Sequence, residues 1–366
     1  MTMVISGSDG VTFPDSTNQY SGGAFSFKNR IINGDMRIDQ RNAGAAVTAS
    51  GAFPVDRFQI FNTTDGAYSA QQDTAAPEGF ITSLKVTATT ADATLTTTQR
   101  LYVIQNIEGT NVPDLGWGTV NAKTVTLSFW VRSSLTGTFG GSLRNSAANR
   151  AYPFTYTISS ADTWEQKSVT IAGDTSGTWL TTNGIGIQIS FGLGVGPDRS
   201  GTAGAWAASN LQSATGAVSV IGTLNATWYI TGVQLEVGSV ATPFERRPYG
   251  MELALCQRYY YKIIGSDISR FGLGYVVDGT RAYIFTSFPT TMRTSPTAVE
   301  QTGTAADYGV LTGVTSTACS GVPTFNVASE WSAVTQFTVA SGLTASQSIA
   351  GRPLTSSVYL GWSAEL

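Results

Sequence analysis

The stretch WYITGVQLEVGSVATPFERRPYGMELALCQRYYY, residues 228–261, decides how the chain is organised. Its first part alternates apolar and polar residues with a one-residue slip at Gly232, which predicts a half-buried strand with a bulge. Pro243 and Pro248 then interrupt any β-ladder, because proline has no N–H to donate. From Met251 onward, apolar residues approach helical spacing among good helix formers. The stretch therefore predicts the last strand of one domain, a short helix and the start of a second domain.

Outward from this stretch the patterns are almost entirely β. Residues 30–247 contain short alternating runs separated by Gly, Asp, Asn and Ser, at intervals of roughly 8 to 15 residues, which is typical of a jelly roll. Residues 262–366 hold seven further runs, enough for a C-terminal β-sandwich, and residues 248–261 form the connector with the short helix. Residues 1–29 contain few large apolar groups and predict an extended N-terminal attachment arm, although composition fits a frayed terminus equally well. The predicted fold class is all-β: two β-sandwich or jelly-roll domains joined by a short helical turn and preceded by an arm.

One segment within the first domain predicts a long surface loop. VGPDRSGTAGAWAASNLQSATGAVS, residues 195–219, is rich in small residues and lacks strand alternation. Connections of this length in a compact domain are commonly functional. We therefore expect this loop to be a candidate for contacts.

Composition limits the chemistry that the chain can perform. The 366 residues contain no histidine, which excludes Ser-His-Asp, Cys-His and zinc-hydrolase mechanisms. Only 12% of residues are charged and the net charge is −3, so there is no electrostatic footprint for nucleic acid or an anionic membrane. The sequence has neither an apolar run long enough for a membrane helix nor a signal-peptide pattern. We expect no nucleic-acid partner and no membrane insertion.

The two cysteines and the basic connector have plain structural interpretations. Cys256 lies on the apolar side of the predicted helix and is interpreted as a buried free thiol, while its pairing with Cys319 stays open. ERRPYGMELALCQRYYYK contains three arginines and four tyrosines, a combination that also occurs in nucleic-acid platforms. We interpret it as a domain junction, in which the arginines pair with Glu245 and Glu252 or cover aromatic rings.

Several passages occur in an order that resembles one family of proteins. They are VTFPDSTNQYSGGA, RIINGDMRIDQRN followed by FPVDRF, KTVTLSFWVRSSLTGTF, ADTWEQKSVTIAGDTSGTW, the stretch 228–261 and YLGWSAEL. Together they resemble bacteriophage tail-fibre, head-fibre and related virion surface proteins with jelly rolls like those of carbohydrate-binding modules. The resemblance implies a homotrimeric structural protein, made in the host cytoplasm and located on the virion surface. It does not specify whether the protein belongs to the tail or to the capsid, and it identifies neither the host nor the receptor.

The resemblance also implies attachment and metal sites. The arm, with Phe13, Tyr20 and Phe25, would bind other virion proteins of the capsid or tail, and the β domains would face a host-surface glycan. In such jelly rolls the first strand pairs near the last, and a structural calcium can bind between them. The matching stretches offer three oxygen ligands, Asp35, Asp39 and Glu236. Solvated or hydrogen-bonded carboxylates are the interpretation that we favour, and no other cofactor is expected.

Sugar binding requires aromatic rings beside groups that bind hydroxyls. Trp117, Trp179 and Trp206 lie beside Gly, Asp and Thr in predicted loops, so we expect them to be more exposed than the other tryptophans and choose them as candidate carbohydrate-binding residues. The plainer interpretation of each is a packed side chain without a ligand.

Two acidic pairs keep an enzymatic alternative open. Asp162 with Glu165, or Asp56 with Asp65, supply the residue types of a glycoside hydrolase, although turn-forming exposed acids are the favoured interpretation. The leading hypothesis is a non-enzymatic fibre or decoration protein of a phage virion. A free-standing lectin-like module and a glycan depolymerase are the two alternatives.

Overall fold

The computed structural model describes residues 27–266 and 269–366, together with three short strands closer to the N-terminus. Strands account for 43% of the chain and helix for 6%, so the predicted all-β class is confirmed. No helix in these described ranges is both long enough and apolar enough to cross a membrane.

The three N-terminal strands form a small antiparallel sheet in the order β1-β2-β3. They are β1 Val4–Ser6, β2 Gly10–Thr12 and β3 Asn18–Gln19. The predicted arm residues Phe13, Tyr20 and Phe25 lie outside the described residues.

Two five-stranded antiparallel sheets follow and pack face to face. Their strands, with a two-residue parallel pair, are β4 Phe58–Asn62, β5 Ala67–Asp73, β6 Ser83–Thr90, β7 Arg100–Glu108, β8 Val125–Ser133, β9 Gly137–Arg144, β10 Ala151–Ile158, β11 Glu165–Ile171, β12 Ile185–Val195, β13 Ser200–Gly201, β14 Ser213–Ala214 and β15 Thr227–Val237. The front sheet has the order β10-β9-β12-β7-β4, and the back sheet has the order β11-β8-β15-β6-β5. Three short 3-10 helices lie in the connections, at Gly109–Asn111, Pro113–Leu115 and Pro197–Arg199.

Aromatic side chains fill the space between the two sheets. Phe129 of the back sheet meets Phe191 of the front sheet edge to face, with ring centroids 5.1 Å apart. Trp228 is fully buried beside them, and its indole N–H donates to the Tyr156 hydroxyl at 3.1 Å. Each strand alternates between this core and an outer face, as the sequence pattern predicts.

The bulge predicted at Gly232 is present. The register of β15 against β8 shifts between Thr231 and Gln234, and Gly232 has φ +62°, a conformation that glycine adopts without strain. The segment around Arg30, which precedes β4, lies beside β15, since the Arg30 N–H donates to the Leu235 carbonyl at 2.9 Å.

Residues 30–42 open the predicted jelly roll but contain no strand. This segment consists of turns and irregular backbone, and Asn33 has φ +60°. The Asn33 side chain explains the shape, because its amide donates to the Ile38 and Asp56 carbonyls and its oxygen accepts from the Ile38 N–H. Such local side-chain bonds replace the ladder of a strand.

The helix predicted in the connector is α1, Tyr249–Gln257. It leads into nine strands: β16 Tyr260–Ile264, β17 Gly272–Val276, β18 Arg281–Ser287, β19 Glu300–Gln301, β20 Tyr308–Thr312, β21 Thr315–Ala328, β22 Ser332–Val339, β23 Ser348–Pro353 and β24 Tyr359–Ser363. A 3-10 helix at Ala305–Asp307 precedes β20.

The C-terminal strands close on themselves. Six of them form a barrel in the order β17-β18-β22-β21-β20-β23, and β16, β24 and β19 form a separate sheet. The sequence predicts a β-sandwich for this domain. Strand patterns do not specify whether the first and last strands of a sheet meet, so they do not reveal a closed barrel. In the structure β23 pairs with both β17 and β20, which removes the free edges.

Charged side chains join the barrel to the sandwich, as the junction interpretation of the basic connector predicts. Buried Arg247 contacts Glu245 and Glu252 at 3.4 Å, and Arg258 binds Glu108 of β7 through two hydrogen bonds of 2.7 and 2.9 Å. Cys256 lies in this junction as a buried free thiol, and Cys319 is a second buried free thiol in the barrel, so the two do not pair. The two domains therefore share a polar interface.

Asp56 makes this junction sensitive to pH. Burial raises the pKa of its carboxyl to about 6, while Arg41 and hydrogen bonds from Gln40 oppose the shift. The raised pKa means that the folded state favours the protonated carboxyl. The contribution of Asp56 to the free energy of unfolding is therefore fully present below pH 4 and is lost as the pH rises through 6.

We expect wild type to lose about 2–3 kcal/mol of unfolding free energy relative to Asp56→Asn between pH 4 and pH 7. Urea unfolding at pH 4, 5, 6 and 7 measures this difference. The altered hydrogen bonding of asparagine adds an offset that does not change with pH. Parallel curves for the two proteins would show that Asp56 does not titrate in this range.

Candidate functional site

The three candidate tryptophans come together, but they pack on one another. Trp117, Trp179 and Trp206 form a cluster with ring centroids 4.7 to 5.4 Å apart, all in edge-to-face geometry. Each indole N–H donates to a backbone carbonyl at 2.8 to 3.2 Å. The predicted exposure is wrong for Trp117 and Trp179, which are each 8% exposed, because their loops fold back onto the core. Trp206 is half-buried, and its contact with sugar stays a prediction.

The three candidate calcium ligands have separate protein partners. Asp35 pairs with Arg37 at 2.9 Å, and Asp39 accepts backbone N–H groups of the turn that follows it. Glu236 accepts from the Thr242 N–H at 2.9 Å. Burial raises the pKa of Asp35 and Asp39, although these contacts oppose the shift. Across the described ranges, no cluster of three or more Asp, Glu or Cys residues is arranged to hold a metal ion.

Three of the four acids in the candidate pairs are occupied by protein contacts, and the fourth, Asp65, is exposed. Asp162 pairs with Arg132 at 3.3 Å, and Glu165 binds Lys167 and two backbone N–H groups. Asp56 is buried in the junction. The structure therefore gives these carboxylates turn-forming and junction roles.

The outer face of the front sheet carries a row of polar side chains that the sequence analysis did not select. Asn106, Gln188 and Arg144 are cross-strand neighbours on β7, β12 and β9. The Gln188 amide donates to Asn106 at 2.8 Å, and its oxygen accepts from Arg144 Nε at 2.9 Å. We call these three residues the amide row. The row runs across the sheet, perpendicular to the strands, because its three residues are cross-strand neighbours.

The long loop 195–219 extends the row from above. Asn210 accepts hydrogen bonds from Arg144 and from Gln212, the latter at 2.7 Å. The loop can approach the sheet because Gly140 and Gly192 lie beneath it; a Cβ at either position would lie within 2.6 Å of the Ser213 hydroxyl. The expectation of a surface loop is refined, since this loop packs on the front sheet and contributes polar groups there.

Two oxygens on this face are buried without a partner. They are Gln212 Oε1 and Ser213 Oγ. Leaving such atoms unsatisfied costs about 1–3 kcal/mol each. They are therefore a local cost of packing the loop onto the sheet.

An aromatic pair flanks the amide row on the same face. Phe61 of β4 and Tyr102 of β7 are directly opposed and stacked, with centroids 5.5 Å apart and ring planes at 21°. Rings beside amide and guanidinium groups suit sugars, which present apolar faces and hydroxyls together. The amide row contains no carboxylate, so it provides hydrogen bonding and no acid–base pair.

Comparison with known proteins gives similarities of fold only. No protein family profile matches the sequence, and no curated protein matches it. A domain of tailspike protein 4 of bacteriophage CBA120 is 14% identical over 57% of this chain, with a TM-score of 0.30, and the match spans 21% of that chain. A putative sugar-binding protein of Bacteroides thetaiotaomicron is 12% identical over 58% of this chain and 100% of its own, with a TM-score of 0.33. A family 11 carbohydrate-binding module of Clostridium thermocellum is 10% identical over 55% of this chain and 100% of its own, with a TM-score of 0.28.

Proposed function

We propose that the chain is a non-enzymatic surface protein of a phage virion, a fibre or decoration protein of tail or head, that binds a host-surface glycan through the front sheet. The observation that carries the binding role is the amide row, whose side chains are fixed by mutual hydrogen bonds beside a stacked aromatic pair. Groups held in place before binding lose little conformational entropy when a ligand arrives.

The absence of acids from the amide row favours binding over hydrolysis. Glycoside hydrolysis needs two carboxyl groups on either side of the scissile bond. The nearest acid along β7 is Glu108, which is saturated by Arg258, Tyr259 and Thr110. The chain therefore fits a binding protein better than a depolymerase.

An exposed apolar face on the barrel supports the assembly part of the proposal. Its exposed fractions are Leu273 70%, Tyr275 44%, Phe285 47%, Val327 53% and Trp331 66%. The register places Leu273 opposite Phe285, and Val334 lies between Phe285 and Val327. We call this continuous surface the barrel face.

The area of the barrel face fits a second copy of this chain as its occupant. The exposed parts of its side chains amount to roughly 500 Å², near the upper end of apolar patches on monomers. A standard interface covers about 800 Å² per partner, so this face supplies more than half of one. Arg281, on the same strand as Phe285, is neutralised by Asp278 at 2.7 Å. A homotrimer, as the resemblance implies, would cover this face and multiply weak sugar contacts by avidity.

Binding to polysaccharides tests the proposed function. We expect the full chain to be retarded in gels containing at least one polymer of a panel of polygalacturonate, its methyl ester, a neutral β-glucan and the lipopolysaccharide of a candidate host. Gln188→Ala removes the centre of the amide row and should weaken retention about tenfold.

The matched control is Gln166→Ala, since Gln166 is an exposed glutamine on β11 of the back sheet. Retention by Gln166→Ala and loss by Gln188→Ala would support the proposal. Failure of wild type to bind any polymer, or equal retention of both variants, would overturn it.

A further inference from the structure

Three arginines on the front face differ from most arginines in the described part of the chain. At least nine of the other thirteen arginines there form ion pairs with Asp or Glu: Arg30, Arg37, Arg41, Arg57, Arg132, Arg150, Arg247, Arg258 and Arg281. Arg100, Arg144 and Arg199 have no such carboxylate partner among the described residues. The front face therefore holds a concentration of cationic groups without counter-charges.

The contacts of the three arginines are neutral. Arg144 is bound by the amide oxygens of Gln188 and Asn210. Arg100 lies over the Tyr102 ring at 5.9 Å from its centroid, and its side chain donates a long hydrogen bond of 3.5 Å to the Thr98 carbonyl. The Nε atoms of Arg100 and Arg199 are buried without a hydrogen-bond partner, as are those of the ion-paired Arg30, Arg37, Arg57, Arg132 and Arg247. The distinguishing feature of the front-face arginines is therefore their neutral surroundings.

The three charges lie within electrostatic range of one another. The backbone of Arg199 accepts from the Gln212 N–H at 2.7 Å, and Gln212 shares the Asn210 oxygen with Arg144. Burial lowers the pKa of Arg144, and the charges of Arg100 and Arg199 lower it further. Like charges held together at partly desolvated positions destabilise the unliganded protein.

We propose that this face binds an acidic glycan, in which Arg100, Arg144 and Arg199 take the carboxylates of uronic or other acidic sugars while the amide row binds hydroxyls. The inference rests on the proposed function and names its ligand class. The planar guanidinium matches a carboxylate through two parallel hydrogen bonds. Neutralisation of the three charges then favours the bound state over the free one.

The surroundings favour a sugar over a nucleic acid. The groups between the arginines are amides, serine and one stacked aromatic pair, and the whole chain carries a net charge of −3. A long polyanion such as nucleic acid would meet repulsion outside this face. A glycan with spaced carboxylates places its charges at the arginines and its hydroxyls at the amides.

A matched pair of polymers tests the inference. Polygalacturonate and its fully methyl-esterified form share one backbone and differ in charge. We expect the full chain to bind polygalacturonate at least tenfold more tightly than the ester, as measured by affinity gel electrophoresis. Binding should weaken as sodium chloride rises from 50 to 500 mM, because salt screens exposed charge pairs.

The double variant Arg100→Gln/Arg199→Gln should lose this preference and bind both polymers equally. Both residues are partly exposed, so folding is expected to be retained, and near-ultraviolet circular dichroism checks it. The control is Arg281→Gln on the barrel. Arg144→Lys, which keeps the charge and removes the planar fork, is a second variant and should bind polygalacturonate with intermediate affinity.

The outcomes separate the acidic-glycan inference from the proposed glycan-binding function. Equal binding of the acidic and esterified polymers by wild type would overturn the acidic-glycan inference and leave the glycan-binding function in place. Absence of binding to any polymer of the panel would overturn the function as well. Tighter binding of a single-stranded oligonucleotide or of a sulfated polymer than of polygalacturonate would replace the carboxylate with a phosphate or sulfate ligand and so refute the inference.

Discussion

Glu108→Ala is expected to destabilise the protein by about 3 kcal/mol at neutral pH. The Glu108 carboxylate has a fully buried side chain and accepts two hydrogen bonds from Arg258, one from the Tyr259 hydroxyl at 2.7 Å and one from Thr110 at 2.8 Å. Its removal leaves these donors without an acceptor at the contact between barrel and sandwich. The value is at the low end for a buried pair, because the Arg258 side chain is 33% exposed and water can reach it.

The effect should also depend on pH. Burial alone would raise the pKa of Glu108, but the hydrogen bonds from Arg258, Tyr259 and Thr110 outweigh it and hold the pKa below its ordinary value. A lowered folded-state pKa gives stability that is present above about pH 4 and is lost as pH falls further. The difference between wild type and variant should therefore narrow in acid.

Urea unfolding of the full chain at pH 7 and pH 3 measures both effects. The control is Asp114→Ala, since Asp114 pairs with Arg30 at the same 2.7 Å while its side chain is 43% exposed. An exposed pair contributes less than about 1 kcal/mol. Equal destabilisation by the two variants would show that burial of Glu108 does not strengthen the junction.

Phe285→Asp is expected to convert the assembled protein into single chains. Wild type at micromolar concentration should have three times the 38.5 kDa mass of one chain, and the variant should have that mass once. The change places a charge at the centre of the barrel face, where burial of an unpaired carboxylate costs several kcal/mol. Because Phe285 is 47% exposed in one chain, folding of each barrel should be nearly unaffected.

Light scattering coupled to size-exclusion chromatography gives the molar masses. Val120→Asp is the control, since Val120 is an exposed apolar residue of the sandwich that lies away from the barrel face. A monomeric wild type, or a variant that keeps the mass of wild type, would contradict assembly through this surface.

The sequence carried most of the fold because strand alternation is a local property. The bulge at Gly232 and the short helix of the connector both follow from spacing within a few residues. Closure of the barrel depends on which distant strands meet, and local patterns do not encode that. The turns of residues 30–42 do not follow from strand alternation, because the Asn33 side chain completes several of their hydrogen bonds.

The candidate site was less predictable for the same reason. Gln188 lies at a polar position of an alternating strand, which predicts an outward side chain, but Asn106 and Arg144 are 82 and 44 residues away in sequence. Only strand order brings the three together. The loop tryptophans were selected wrongly as exposed residues. Glycines beside an indole predict an exposed loop, but tertiary packing buries Trp117 and Trp179.

A crystal structure of the full chain soaked with trigalacturonate would test the central claim most directly. We predict sugar density over the amide row, with carboxylates at the guanidinium groups of Arg144 and Arg199 and one ring beside Tyr102. Density at the barrel face or the back sheet instead, or an unoccupied front face at millimolar ligand, would contradict the account.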